Sequence, residues 1–151
     1  MGTSHHAILI ALSSKRLAML ESEPEMLEDV VEARHEEAIP GLLDIGTHWE
    51  TLDLVVSGRG RDEILGDVIL ARSGKSLDVD NAFEQARVLI PQRVAEVAEQ
   101  LAALTPAAFR ERAQQLGKVK ALADLEALYA KILALYTDAA KQRHSMLALL
   151  V

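Results

Sequence analysis

One apolar stripe runs the length of residues 122–140. Leu122, Leu125, Tyr129, Ile132, Leu133, Tyr136, Ala139 and Ala140 recur at the three- and four-residue spacing of one helix face. A helix of that length must lay its stripe against a broad apolar surface, and neighbouring segments supply one. Residues 91–104 carry Val94, Val97, Ala98, Leu101 and Leu104 at helical spacing behind Pro91, which suits a first turn. Thr105-Pro106 starts and caps a further helix over 106–115, and Gly117 separates it from the long one.

Strand signals are few and far apart. HHAILIAL (residues 5–12) and ARVLI (86–90) read as short strands, and DVILAR (67–72) as another, followed by the turn SGKS. The tail SMLALLV (145–151) is a terminal strand or a docked apolar segment. Ser13 or Ser14 caps a helix over 15–21. Pro24 starts the next, with Met26, Leu27, Val30 and Val31 inward and an end near Ile39-Pro40-Gly41. Helices dominate, so the expected fold is α+β, a helix-rich single domain over residues 1–151 with a small mixed or antiparallel sheet.

The stretch LDIGTHWETLDLVVSG (43–58) holds the only tryptophan of the chain. Thr47 caps a helix there. His48, Trp49, Leu52, Val55 and Val56 share one side, Glu50, Asp53 and Leu54 point elsewhere, and Gly58 suits a left-handed C-cap. GRGRD (58–62) is a loop.

Composition narrows function by exclusion. Of 151 residues 50% are hydrophobic and none is cysteine, which removes disulfides, thiolate metal sites and a cysteine nucleophile. No apolar run approaches the ~20 residues that span a bilayer, and no basic residue precedes the short apolar stretch of the opening, so a cytoplasmic protein is expected. A formal net charge of -7, with basic residues scattered among acids, argues against nucleic acid and anionic membranes as partners. The five histidines form neither HxxxH nor HExxH. SGKS lacks the first glycine of a P-loop, where Ile69 stands, and GRGRD follows a helix rather than a strand. No GxSxG is present, so neither catalysis nor a cofactor is expected.

Two blocks carry a resemblance. Asp44, Trp49, Leu52 and Gly58 match an acidic residue, a tryptophan and a leucine-rich stretch closing in glycine; Asp80, Phe83, Ala86 and Arg87 match a second block. The opening Met-Gly and the apolar tail fit as well. The chain resembles the YfbM-like family, small bacterial proteins classed as a domain of unknown function, over nearly its whole length. The resemblance implies an α+β fold and no established reaction. Phe83 stands where a tyrosine is common, Glu84-Gln85 replace a glycine-proline pair, and Thr47 lies near a position that is often lysine. Any ligand role of the tyrosine hydroxyl is therefore lost here.

Two candidate surfaces follow. One is a ligand cleft bounded by Asp44, His48, Trp49 and Arg87, in which histidine serves as base and a carboxylate orients it. Its residues have bland readings too: Trp49 as core anchor, His48 at the core rim, and Arg87 in an ion pair with Asp44, Asp78 or Asp80. The other is the acidic segment 21–37, where Glu25, Glu28, Asp29, Glu32 and Glu36 steer toward a basic protein unless they form only a solvated helix face. The favoured expectation is a non-catalytic protein-binding module, an immunity-type inhibitor or an adaptor. The alternative is a small-molecule or nucleotide-binding domain, conceivably a weak hydrolase. Sequence sets no oligomeric state.

Overall fold

The computed structural model describes residues 5–78, 83–117 and 120–151. Its strands are β1 (Ala7–Leu12), β2 (Leu42–Gly46), β3 (Lys75–Ser76), β4 (Gln85–Leu89) and β5 (Ser145–Leu150), arranged in the order β2-β1-β5-β4-β3 with every pairing antiparallel. The two central strands, AILIAL and SMLALL, are buried at every position. Alternate side chains of a strand face opposite sides, so an unbroken apolar run is stable only where both faces are covered.

Both faces are covered here. Leu9, Ala11, Met146 and Ala148 point to one side, against α3 (Trp49–Ser57), α4 (Asp67–Leu70), α5 (Pro91–Ala103), α6 (Pro106–Gln115) and α7 (Leu122–Lys141). Ile8, Ile10, Leu147 and Leu149 point to the other, where α1 (Ser14–Ser22) and α2 (Glu25–Ala33) supply Leu20, Leu27 and Val31. The fold is α+β, a five-stranded antiparallel sheet between two layers of helices.

The long stripe behaves as its spacing requires. Leu125, Tyr129, Ile132, Tyr136 and Ala139 are buried, and the Tyr129 ring stacks on Phe109 of α6 with centroids 4.4 Å apart. Tyr129 Oη donates to the carbonyls of Leu101 and Leu104, which holds the end of α5. Burial pushes the Tyr129 hydroxyl up to about 12, against a weaker opposing effect of Arg112. Thr105 accepts the Ala108 N–H and caps α6, and Gly58 closes α3 at φ +61°.

Three segments depart from expectation. Residues 67–70 form a short helix rather than a strand, because polar contacts override the β-branched composition. Asp67 Oδ1 accepts the Ser73 N–H at 2.8 Å, its Oδ2 accepts Ser73 Oγ and Arg93 Nε at 2.6 and 2.7 Å, and Tyr136 Oη donates to the Val68 carbonyl at 2.6 Å. Residues 42–46, placed by the sequence on the approach to a helix, pair with β1 as an edge strand. Helix α2 stops at Ala33, well before Ile39: the Arg34 side chain turns back onto the Val31 carbonyl, and Glu32, Glu36 and Glu37 lie at the negative end of the helix dipole.

Candidate functional site

The four residues of the expected cleft do not share a cavity. Asp44 lies on β2 opposite Ile8, on the face covered by α2, whereas Arg87 on β4 shares the register of Ala148 and Leu9, on the other face. Two strands intervene between β2 and β4, a separation of about 14 Å at the usual spacing. Arg87 Nη1 instead donates to the Arg72 carbonyl at 3.2 Å, so its acceptor is backbone and not an aspartate. Asp80 lies outside the described residues.

Trp49 is partly buried against the helix-covered core, and its Nε1 donates to the His5 carbonyl at 3.0 Å. That bond fastens the start of α3 to the entry of β1. His48 is the N-cap residue of α3 and makes no capping bond with its side chain; Thr47, expected in that role, is exposed beside it. Asp53, expected to point away from the core, is buried and meets Arg72 in a bidentate pair, with Nη2 to Oδ2 at 2.5 Å and Nη1 to Oδ1 at 3.2 Å. Its carboxyl sits above the ordinary range because burial outweighs Arg72.

Asp44 has a structural partner that sequence reasoning did not name. Arg34, just past the end of α2, donates from Nε to Asp44 Oδ2 at 3.0 Å and from Nη1 to the Val31 carbonyl at 2.6 Å. The Gly46 N–H donates to Asp44 Oδ1 at 2.8 Å, and His6 Nδ1 lies 3.5 Å from the same oxygen. Partial burial alone would raise this carboxyl. Arg34, the Gly46 N–H and His6 together outweigh it and hold the group below its ordinary value.

The acidic segment has no such partners. Glu21, Glu23, Glu25, Glu28, Asp29, Glu32, Glu36 and Glu37 are all exposed, and among the described residues none is in an ion pair. Glu25, Glu28, Asp29 and Glu32 lie on α2, while Glu36 follows in the turn after it. Two recesses open on this face. One, about 100 Å³ between α1 and α2, is walled by Met19, Met26, Val30, Ile39 and Pro40, with Arg16 at its edge; Met19 is 45% exposed. The other, about 220 Å³, lies at the end of α2 between Glu28, Glu32, His35 and the Phe83 ring, with Arg34 along one wall. Phe83 of the second family-like block thus borders the acidic face, a juxtaposition that only the tertiary fold creates.

Chemically, this surface offers unneutralised carboxylates beside one apolar hollow and around one mixed, largely polar recess. Among the described residues, no group of three or more His, Asp or Glu is placed to hold a metal ion, and no helix is long and apolar enough to cross a membrane.

Comparison with known proteins agrees with the fold. The family model described as "Domain of unknown function (DUF1877)" matches residues 3–149. The chain belongs to this family. Among solved structures, the DUF1877 chain is similar to YfbM from Escherichia coli, a protein of unknown function, with a TM-score of 0.65 and 16% identity, covering 97% of this chain and 99% of that one. The YfbM-like resemblance read from Asp44, Trp49, Leu52 and Gly58 is therefore shown, and at that identity the likeness concerns the fold. A search of curated proteins finds no match.

Proposed function

We propose that this DUF1877 protein is a non-catalytic binding module whose α1–α2 face docks a basic protein, as an inhibitor or an adaptor does. The observation that carries the reading is the recess at the end of α2. Glu28 and Glu32, four residues apart on one helix face, line it together with the half-buried Phe83. Two carboxylates and an aromatic ring suit an inserted lysine or arginine side chain, by charge and by cation–π attraction. Arg34 also lines the recess, but its guanidinium is already engaged by Asp44 and the Val31 carbonyl. The neighbouring apolar hollow, with its adaptable methionines, suits an anchoring side chain of the same partner.

Affinity capture from a bacterial lysate, with wild type and the double variant Glu28→Lys/Glu32→Lys side by side, tests this. The reading expects a partner that is basic, is retained by wild type at low salt, and is lost both in the variant and at raised ionic strength. Partners retained equally by both proteins would contradict it.

A further inference from the structure

On the opposite helical layer, the loop after α3 and the end of α6 enclose a cleft of about 500 Å³ between Arg59, Arg61, Arg112 and Gln115. We infer that this cleft binds the phosphate of a phosphorylated sugar or polyol.

The arginines of this chain are mostly spoken for. Arg34, Arg72, Arg93 and Arg110 each hold a carboxylate. Arg59 and Arg61 do not: both are exposed, and among the described residues neither guanidinium donates to an acceptor, in a chain whose formal net charge is -7. These two arginines, two residues apart, line a single cleft, and guanidiniums are the fork donors that match phosphate oxygens. Arg59 is also held at φ +64° between Gly58 and Gly60, a conformation costly for a side-chain-bearing residue.

The carbonyl end of α3 opens into the same cleft and by itself repels an anion. Arg112 removes that objection. Its Nη1 reaches the Val56 carbonyl at 2.9 Å and the Val55 carbonyl at 3.4 Å, covering the helix end and leaving Nη2 and Nε of the third guanidinium for a ligand. Asp62, at the border of the cleft, has Oδ1 occupied by the Leu65 N–H at 2.9 Å.

A second recess of about 420 Å³ adjoins the first through Asp62, Arg112 and Gln115. Leu65 and Leu104 give it an apolar wall, while Gln100 and Glu111 supply acceptors at its rim. That combination suits a hydroxyl-bearing body attached to the phosphate: the body packs on carbon and its hydroxyls donate to Glu111 and the glutamines. The site faces away from α2 and is independent of the docking surface.

Isothermal titration at low ionic strength with glucose 6-phosphate, ribose 5-phosphate and glycerol 3-phosphate tests the inference, with glucose and inorganic phosphate as controls. Because Arg59 and Arg61 are exposed, the variant Arg59→Ala/Arg61→Ala should fold, as circular dichroism will verify. At least one ester should bind wild type more tightly than inorganic phosphate, glucose should not bind, and the variant should lose at least tenfold in affinity. Glu28→Lys/Glu32→Lys should leave this binding unchanged. Silence from all three esters, or equal affinity in wild type and the Arg59→Ala/Arg61→Ala variant, would overturn the inference.

Discussion

Arg34 Nε lies 3.0 Å from Asp44 Oδ2, and this contact ties the end of α2 to the edge strand β2. It also explains why the segment after Ala33 leaves the helix. Arg34 folds back over the Val31 carbonyl to reach the carboxylate, and the chain turns with it.

Replacing Asp44 with alanine strands a largely buried guanidinium and frees the Gly46 N–H. A loss of about 1.5–3 kcal/mol is expected, the usual scale for hydrogen bonds to charged groups, and urea unfolding measures it. The pH dependence has a definite sign. The folded carboxyl titrates below its unfolded value near 3.8, so its contribution is complete above that value and disappears as pH falls through the folded one. Wild type should lose this increment in acid, and Asp44→Asn should show a flatter stability profile there.

Asp67 is 1% exposed and takes hydrogen bonds from Ser73 and Arg93. Arg93→Leu leaves a buried carboxylate without its cation and should cost about 3–5 kcal/mol. The double change Asp67→Asn/Arg93→Leu should recover part of that loss, which a double-mutant cycle by thermal unfolding will resolve.

Gly74 is fixed by space. A Cβ there would sit 2.7 Å from the Val88 carbonyl oxygen and 2.9 Å from that of Ala71. Gly74→Ala should therefore push β3 off β4 and destabilise by about 1–3 kcal/mol, the usual cost of overpacking. Hydrogen exchange should show faster exchange at Leu77, whose N–H donates to the Ala86 carbonyl.

The acidic face should be retained at a cost to stability. Glu32 sits in the last turn of α2, one turn after Glu28 and against the helix dipole. Glu32→Gln should stabilise by about 0.5 kcal/mol, raising Tm by about 1–2 °C for a domain of this size. A lower Tm would mean that Glu32 has a structural partner.

Much of the fold was legible because its signals are local. Proline at the first helical position marks α5 and α6, Thr105 caps α6, and the period of Leu125, Tyr129, Ile132 and Tyr136 marks α7. What escaped depends on distant partners. The run Val68-Ile69-Leu70 reads as strand by composition and becomes helix through Asp67, Ser73, Arg93 and Tyr136. Strand β2 is too short to announce itself beside the helical pattern that follows it. The candidate sites divide the same way. Exposure of Glu25, Glu28, Asp29 and Glu32 follows from helix periodicity and that of Glu36 from its place in a polar turn, whereas convergence of Asp44 with Arg87 depended on sheet order and facing, which no single segment encodes.

On the proposed function, a cationic partner seats a side chain between Glu28, Glu32 and Phe83. Zero-length carbodiimide crosslinking of the captured complex, read by peptide mass spectrometry, tests it most directly, because it joins a carboxylate only to an amine in contact with it. Crosslinks from partner lysines to Glu28 or Glu32 are expected, and their absence in Glu28→Gln/Glu32→Gln. Crosslinks that map only to carboxylates outside residues 21–37, unchanged in that variant, would contradict it.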